Sequence, residues 1–419
     1  MEVISKQSDF KSDFDLIKTL AQGVEVVARK SDGERFVPHP FYQEQDVGRD
    51  KLNQLFARGA GEAVLNLLNH ENLVSITTVT TDKPLTGPGN APRSNRLLWD
   101  YCDAGTLEQL LENLLMERMP DEKGFLPESL VWHVGISVLR ALQWLHEGVR
   151  DTYETVSKER EGEQYAGKAR ESRSAVEPEK DWLPVMHRAV HESNIFFQLP
   201  RGIETYGTCK IGNFSHCYVS GNVSSKDGPL VIPLKAEPDM PIETMRARWA
   251  EWREKRLDMA PELRPTTRGC ELYDLGTILF RMMSGVSHPD PEECSFCGCR
   301  HFDTFGPACD HRACPWWQES GNWLPGYQVE KRTMYTRELR RFVTDLLGQW
   351  RTNGRASTLL DRHWQGYLYW MQETPDGRQY KDVFDDIQWR KANTNLKQMA
   401  DLRVARETLG IDIEGVLIV

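Results

Sequence analysis

His187-Arg188-Ala189-Val190-His191-Glu192-Ser193-Asn194-Ile195 and, further on, Lys210-Ile211-Gly212-Asn213-Phe214-Ser215 are the stretches on which the reading of this chain turns. Both lie between two helical patterns. Upstream, Pro127 suits a first helical turn and Glu128 complements the positive end of a helix dipole. Val131, Val134, Val138, Leu142 and Leu145 then recur on one helix face. Downstream, Leu272, Leu275, Leu279 and Met282 line one side of a second helix over residues 271–283. Between the first helix and the first quoted string, residues 149–180 are highly charged and poor in apolar side chains. They read as an exposed insertion, partly helical or disordered.

Towards the N-terminus the pattern changes. Leu16 to Leu20 and Val24 to Ala28 are short β-like runs, and Ser31-Asp32-Gly33 is a turn signal. Leu52 to Leu68 has helical apolar spacing, weakened by Gly59 and Gly61. Pro and Gly mark residues 81–94 as a loop. Towards the C-terminus, Cys294 to Cys314 is rich in cysteine, and Glu338 to Trp350 is amphipathic. A tail after Trp364 carries the turn signal Pro375-Asp376-Gly377. It ends in Gly415-Val416-Leu417-Ile418-Val419, long enough to pair as a strand or dock on a core. No internal repeat is present. The residues themselves describe a small β-rich part followed by a large helical part, an α+β chain.

The 419 residues include 39% hydrophobic side chains and 13 Trp, enough for a substantial core. The net charge of −10 argues against a polyanion as main partner, because there is no counterion release to gain. Nucleic acid is therefore not expected. No apolar run reaches the roughly 18 residues of a membrane span, and the charged N-terminus carries no signal-peptide core. An intracellular, reducing compartment, cytoplasmic or nuclear, follows as the default. The 9 cysteines are then thiols or metal ligands rather than disulfides.

In one fixed order, strings along the chain resemble the landmarks of the eukaryotic protein kinases. His70-Glu71-Asn72-Leu73-Val74 is similar to the His-Pro-Asn-Ile-Val that follows the family's regulatory helix. Leu98-Trp99-Asp100-Tyr101-Cys102-Asp103-Ala104-Gly105-Thr106-Leu107 resembles the hinge between lobes. The two strings quoted first resemble the catalytic loop and the metal-binding Asp-Phe-Gly. Met259-Ala260-Pro261-Glu262 is similar to the Ala-Pro-Glu that closes the activation segment. Leu272-Tyr273-Asp274-Leu275-Gly276 resembles the central helix, and Arg355-Ala356-Ser357 the late arginine that pairs with the Ala-Pro-Glu carboxylate. The resemblance spans Phe14 to Trp364. It implies a two-lobed kinase-like fold, with a small β-rich N-lobe at 14–98 and a large helical C-lobe at 103–364. Insertions fall at 149–180 and 289–326, and a C-terminal tail at 365–419.

Phosphoryl transfer in that family rests on positioning and charge neutralisation. Aligned to its pattern, the parts that supply both are changed. The phosphate loop is shortened to Leu20–Val26 and keeps Gly23 alone, with Glu25 adding unfavourable charge; it reads as an ordinary β-hairpin. His39 stands where the phosphate-gripping lysine belongs, beside Pro38, which is expected to disrupt a central strand. A displaced Lys51 is the alternative cation, and Glu62 the nearest candidate for its carboxylate partner. Ala189 replaces the catalytic base, and a methyl group cannot accept a proton. His191 replaces the neighbouring lysine. Asn213 replaces the magnesium-binding Asp, so only Asn194 remains of the metal ligands, and magnesium prefers anionic oxygen. Trp99 falls at the guard of the back pocket and would narrow it. Glu262 and Arg355 keep the structural ion pair, and Glu271 keeps the charge of the central-helix Asp.

Cys294, Cys297, Cys309 and Cys314 have spacing compatible with a structural tetrahedral zinc site, with Cys299 or His311 as alternates. The other reading is a loop of free thiols against Trp316 and Trp317.

The resemblance therefore implies a pseudokinase with no catalytic residue intact, acting as a scaffold or allosteric partner of another protein. Any ATP would contact Gly23, the hinge backbone at Asp100 and Cys102, and Asn194, without strong magnesium dependence. The alternative is an active, atypical Ser/Thr protein kinase in which Glu192 or His191 stands in for the lost base.

Overall fold

The structure, a computed structural model, describes residues 10–21, 24–42, 69–81, 94–117, 126–153, 173–176, 182, 184–214, 217–219, 232–233, 265–266, 268–285, 329, 334–349 and 354–383. They form a mixed α and β fold in which an antiparallel sheet precedes a helical body. A helical turn, α1 (Phe10–Asp13), leads into β1 (Phe14–Ala21), β2 (Val24–Arg29), β3 (Arg35–Tyr42), β4 (Ile76–Thr81) and β5 (Ser94–Asp100). The sheet order is β1-β2-β3-β5-β4. Alternation along β5 sends neighbouring side chains to opposite faces. Leu98 packs with Phe10, Phe14, Val27 and Phe36 in a small outer cluster, while Leu97 joins the main core with Ile76 and the helices.

Pro38 does not disrupt a central strand; it stands inside one. Pro38 lies opposite Leu98 and Pro40 opposite Arg96, in the middle strand of the sheet. Two residues apart, both prolines lack an N–H on the same edge. The ladder to β5 runs unbroken past them, whereas the ladder to β2 ends at Phe36. The missing donors therefore fall on the side of β3 where, among the described residues, the ladder has already ended.

The helical body contains α2 (Leu107–Glu117), α3 (Glu128–Glu147), α4 (Arg268–Ser284), α5 (Arg337–Leu347), α6 (Ala356–Glu373) and α7 (Pro375–Gln379). The sequence marks one apolar face on α3, but the helix is buried on nearly every side. Gly135 permits this: a Cβ there would stand 2.8 Å from a Phe342 ring carbon and 3.0 Å from Leu279 Cδ1. Trp132 stacks on Phe342 at 5.3 Å and meets Tyr367 at 5.4 Å. α5 is held at its start by Glu128, which accepts the Thr336 N–H at 2.9 Å and the Thr336 hydroxyl. It ends at Leu347, short of Trp350.

The packed body does not stop at Trp364, where the family resemblance would end it. α6 runs through that position, and Tyr367, Leu368, Trp370 and Met371 are all buried in the main core. Pro375-Asp376-Gly377 is not a bare turn but opens α7, with Thr374 Oγ1 accepting the Gly377 N–H at 3.0 Å. Proline is at ease there because the first helical N–H has no intrahelical partner.

Beyond α7, Tyr380 is buried against α3. Its hydroxyl lies 2.9 Å from His133 Nδ1, and His133 Nε2 lies 2.9 Å from the Gly207 carbonyl. A carbonyl only accepts, so Nε2 donates and Nδ1 accepts from Tyr380. Burial pushes the His133 imidazole below its ordinary pKa of 6.5, against the opposing pull of Gly207 and Asp382. A depressed folded pKa means that stability is complete above the unfolded value and falls as pH drops through and below 6.5. His133→Ala should remove that slope and cost about 1–3 kcal/mol for each polar group left unsatisfied. Urea unfolding of both proteins between neutral and mildly acid pH measures this.

The charged insertion closes as a ribbon, not a helix, at its two ends. β6 (Arg150–Tyr153) pairs antiparallel with β7 (Arg173–Val176), and the short strand β8 (Val185–Met186) follows. Just before β6, Gly148 caps α3 at φ 65°, with Trp182 so close that any Cβ would strike its ring. Among the described residues no helix is long and apolar enough to cross a membrane.

Candidate functional site

Two strings far apart in sequence meet because β9 (Ile195–Phe197) and β10 (Cys209–Ile211) form an antiparallel hairpin. Ile195 faces Ile211, which sets the loop before β9 against the residues after β10. The Gly212 N–H donates to the Asn194 carbonyl at 2.9 Å, and His187 Nε2 donates to the Gly212 carbonyl at 2.9 Å. The His187 ring meets Phe214 edge-on at 5.4 Å. Phe214 in turn stacks on Trp99 at 6.0 Å, so the two rings fill the space between β5 and this loop.

Arg188 adopts φ 63°, a left-handed conformation that costs a residue with a Cβ about 1–2 kcal/mol. Its N–H donates to Glu271 Oε1 at 2.7 Å, and the other Glu271 oxygen lies 2.6 Å from His146 Nε2. Both Glu271 and His146 are fully buried. Burial alone would raise the Glu271 carboxyl, but the His146 bond, the charges of His146 and His187 and the Arg188 N–H outweigh it and hold it low. Asp274, one turn on, is pushed well above the usual range by burial and by Glu271.

Asn194 and Asn213, the positions that the resemblance would give to metal ligands, are turned on each other. Asn213 Nδ2 donates to Asn194 Oδ1 at 3.0 Å, and Asn194 Nδ2 donates to the Ala189 carbonyl at 2.8 Å. Asn213 sits at φ 62°, which Asn tolerates better than most residues. A divalent cation would have to break the amide–amide bond, and would gain no neutralising charge from either side chain. Glu192 is committed as well: it is buried, 3.1 Å from Arg281 Nη1 and 3.1 Å from His191 Nε2. His191 is exposed, and its Nδ1 accepts the Ser193 N–H at 3.3 Å.

His39 is exposed on β3, opposite Leu97 and therefore on the sheet face turned to the helical body. β1 and β2 are antiparallel neighbours, with Ala21 paired to Val24.

Lys210 was missed as a site residue. Its Nζ lies 2.8 Å from the Asp100 carboxylate, which also accepts the Ser75 N–H at 3.1 Å and the Thr77 hydroxyl at 3.2 Å. A lysine inside the buried strand Cys209-Lys210-Ile211 was itself the signal, since an ammonium there requires a carboxylate. The Asp100 N–H is also taken, by the Ser75 carbonyl at 2.9 Å. Cys102 is pushed up to about 12 by burial, with Asp100 and Asp103 adding to this and Lys210 opposing it. It is therefore a thiol and a poor nucleophile. The string from His70 to Val74 is stitched to β10: Asn72 Nδ2 donates to the Cys209 carbonyl and the Val74 N–H to the Ile211 carbonyl, both at 2.9 Å.

No protein-family model matches this chain, and no curated protein matches it.

Arg355 has a partner that the sequence did not announce. Its Nε and Nη2 lie 2.9 and 2.8 Å from the buried Glu147, which also accepts the Ser357 N–H and hydroxyl. Glu147 is the last residue of α3, and only packing brings it to the start of α6. Glu262, the partner expected from the resemblance, lies outside the described residues, as do Gly23, Lys51 and Glu62. The same holds for Cys294, Cys297, Cys299, Cys309, His311 and Cys314, the ligands of the zinc reading. Among the described residues no group of three or more His, Cys, Asp or Glu could hold a metal ion.

Proposed function

We propose that this chain is a kinase-like protein that has lost phosphoryl transfer and works inside the cell by binding a protein partner. The observation that carries the reading is the amide pair Asn194–Asn213 beside Ala189. It leaves no proton acceptor at the base position and no anionic oxygen at the metal position. Further support comes from the sheet order β1-β2-β3-β5-β4, the tether of His70–Val74 to β10, and the Arg188 N–H held by a carboxylate on α4. These contacts join the strings that resemble the kinase landmarks. The scaffold contacts are kept while the charged groups for chemistry are replaced by neutral ones. Glu192, the candidate substitute base, is tied to Arg281 and His191 and does not favour the active-kinase alternative.

The test is thermal unfolding with ATP, with and without magnesium, together with a radiolabelled-ATP transfer assay. No transfer is expected, and any ATP stabilisation should be the same with and without magnesium. Ligand at about 100 times its dissociation constant stabilises by about 2.7 kcal/mol, enough to read as a shifted midpoint. Asn213→Asp should break the amide pair and introduce a magnesium-dependent shift. Magnesium-dependent transfer by the unaltered protein, abolished by Asn194→Ala, would overturn the proposal in favour of an active atypical Ser/Thr kinase.

A further inference from the structure

We propose that the groove between α3, α6 and the loop from β9 to β10 is a docking site for an extended Tyr-x-Asp segment of a protein partner, and that the chain's own Tyr380-Lys381-Asp382 holds it shut. The inference rests on the reading of this chain as a binding protein, and names the chemistry of the partner segment. Residues 380–382 lie in the groove as an extended run. Tyr380 and Asp382 are buried, and Lys381 between them is exposed. The Thr205 N–H donates to the Lys381 carbonyl at 2.5 Å, and the Lys381 N–H donates to Thr205 Oγ1 at 2.6 Å. Peptides dock by strand addition in this way: main-chain bonds hold the segment, and alternate side chains enter pockets.

Each pocket carries its own polar group. The Tyr380 hydroxyl donates to His133 Nδ1 at 2.9 Å, with its ring 5.5 Å from Trp370 and 6.3 Å from Tyr206. The Tyr367 hydroxyl donates to Asp382 Oδ2 at 2.9 Å. His133, Thr205 and Tyr367 all lie outside the segment, on α3, the loop and α6. The walls are also tied to each other without it. His133 Nε2 donates to the Gly207 carbonyl at 2.9 Å, and the Ser129 and Tyr206 hydroxyls lie 2.9 Å apart. The groove is therefore built by the rest of the chain and filled by residues 380–382. His133 Nδ1 requires a donor and the Tyr367 hydroxyl an acceptor, both at buried positions. A phenol followed two residues later by a carboxylate supplies both, and phenylalanine or asparagine at those places would serve them less well. The chain's own segment competes at an effective concentration on the order of millimolar, which makes it an inhibitor of docking.

A plain role as core competes with this, because Tyr380 also packs on α3 and α6. The experiment uses the full chain and a fluorescent peptide of residues 378–383, Arg-Gln-Tyr-Lys-Asp-Val. Lys381→Pro removes the N–H that Thr205 accepts and leaves both buried side chains in place; Tyr380→Ala empties the larger pocket. By fluorescence polarisation, the peptide should bind either variant at least about tenfold more tightly than the unaltered chain, since more of the grooves stand open. His133→Ala added to Lys381→Pro, or alanine in place of the peptide's tyrosine, should abolish binding. In the unaltered chain the Lys381 amide should exchange its hydrogen sooner than the amides of α3, through release of the segment alone. Four results overturn the proposal: no binding to folded variants at about 1 mM peptide, equal binding to variants and unaltered chain, equal binding of the alanine peptide, or Lys381 exchange only with global unfolding. Variants that no longer unfold cooperatively would show the segment to be core, which overturns it too. None of these outcomes depends on ATP. Failed docking with no phosphoryl transfer leaves the loss of kinase chemistry standing, and transfer activity would strike that reading whether or not the peptide binds.

Discussion

Replacing Glu271 with alanine should destabilise the protein by about 3–5 kcal/mol, the scale for removing one partner from a buried polar pair. Two donors lose their acceptor at once: the Arg188 N–H and His146 Nε2, at 2.7 and 2.6 Å. Neither is open to water, because Glu271 and His146 are both fully buried. The left-handed Arg188 would also lose the bond that offsets its conformation. The loop that carries Ala189, His191 and Asn194 should therefore loosen before the rest of the body. Hydrogen exchange at the Arg188 amide measures the local effect, and urea unfolding the global one. The pH dependence has a definite sign. The folded Glu271 carboxyl is held below its ordinary 4.5, so its contribution is present above that value and is lost as pH falls through the folded pKa. Glu271→Ala should therefore flatten the acid limb of the stability profile. Unchanged exchange at Arg188 would show that the loop is held by other contacts.

Trp370→Ala should cost about 3–5 kcal/mol, the range for a large aromatic removed from a packed core. Trp370 is 1% exposed and sits among Trp132 at 6.3 Å, Tyr367 at 6.1 Å and Tyr380 at 5.5 Å. The rigid rings of Trp132, Tyr367 and Tyr380 around it cannot collapse into a space of that size. A chain cut after Trp364 removes Tyr367, Leu368, Trp370 and Met371 together and should fail to unfold cooperatively at all. Calorimetry of the two proteins decides the matter. A cooperative transition in the shortened chain would mean that the aromatic cluster is an appendage rather than core.

Tyr367, Trp370 and Met371 carry helical spacing continuous with Leu360 and Trp364, so the continuation of α6 was legible. The family resemblance masked it by placing a boundary at Trp364. Pro38 failed in the opposite direction. Local rules exclude proline from a central strand, and only the early end of the β2–β3 ladder shows why two prolines are tolerated. Lys210 is legible from the sequence alone, since a lysine in a buried strand demands a counter-charge.

Residue type and spacing, by themselves, determined the mixed α and β composition, the start of the helix after Pro127, and the absence of a carboxylate at positions 189 and 213. These are properties of single residues or of neighbours along the chain. The tertiary structure alone decided that Asn213 donates to Asn194, that Glu271 holds Arg188, that Arg355 rests on Glu147, and that Lys210 rests on Asp100. Each of these bonds joins residues distant in sequence. Hydrogen bonding needs approach within about 3 Å, and no local periodicity specifies which distant partner folding will bring that close.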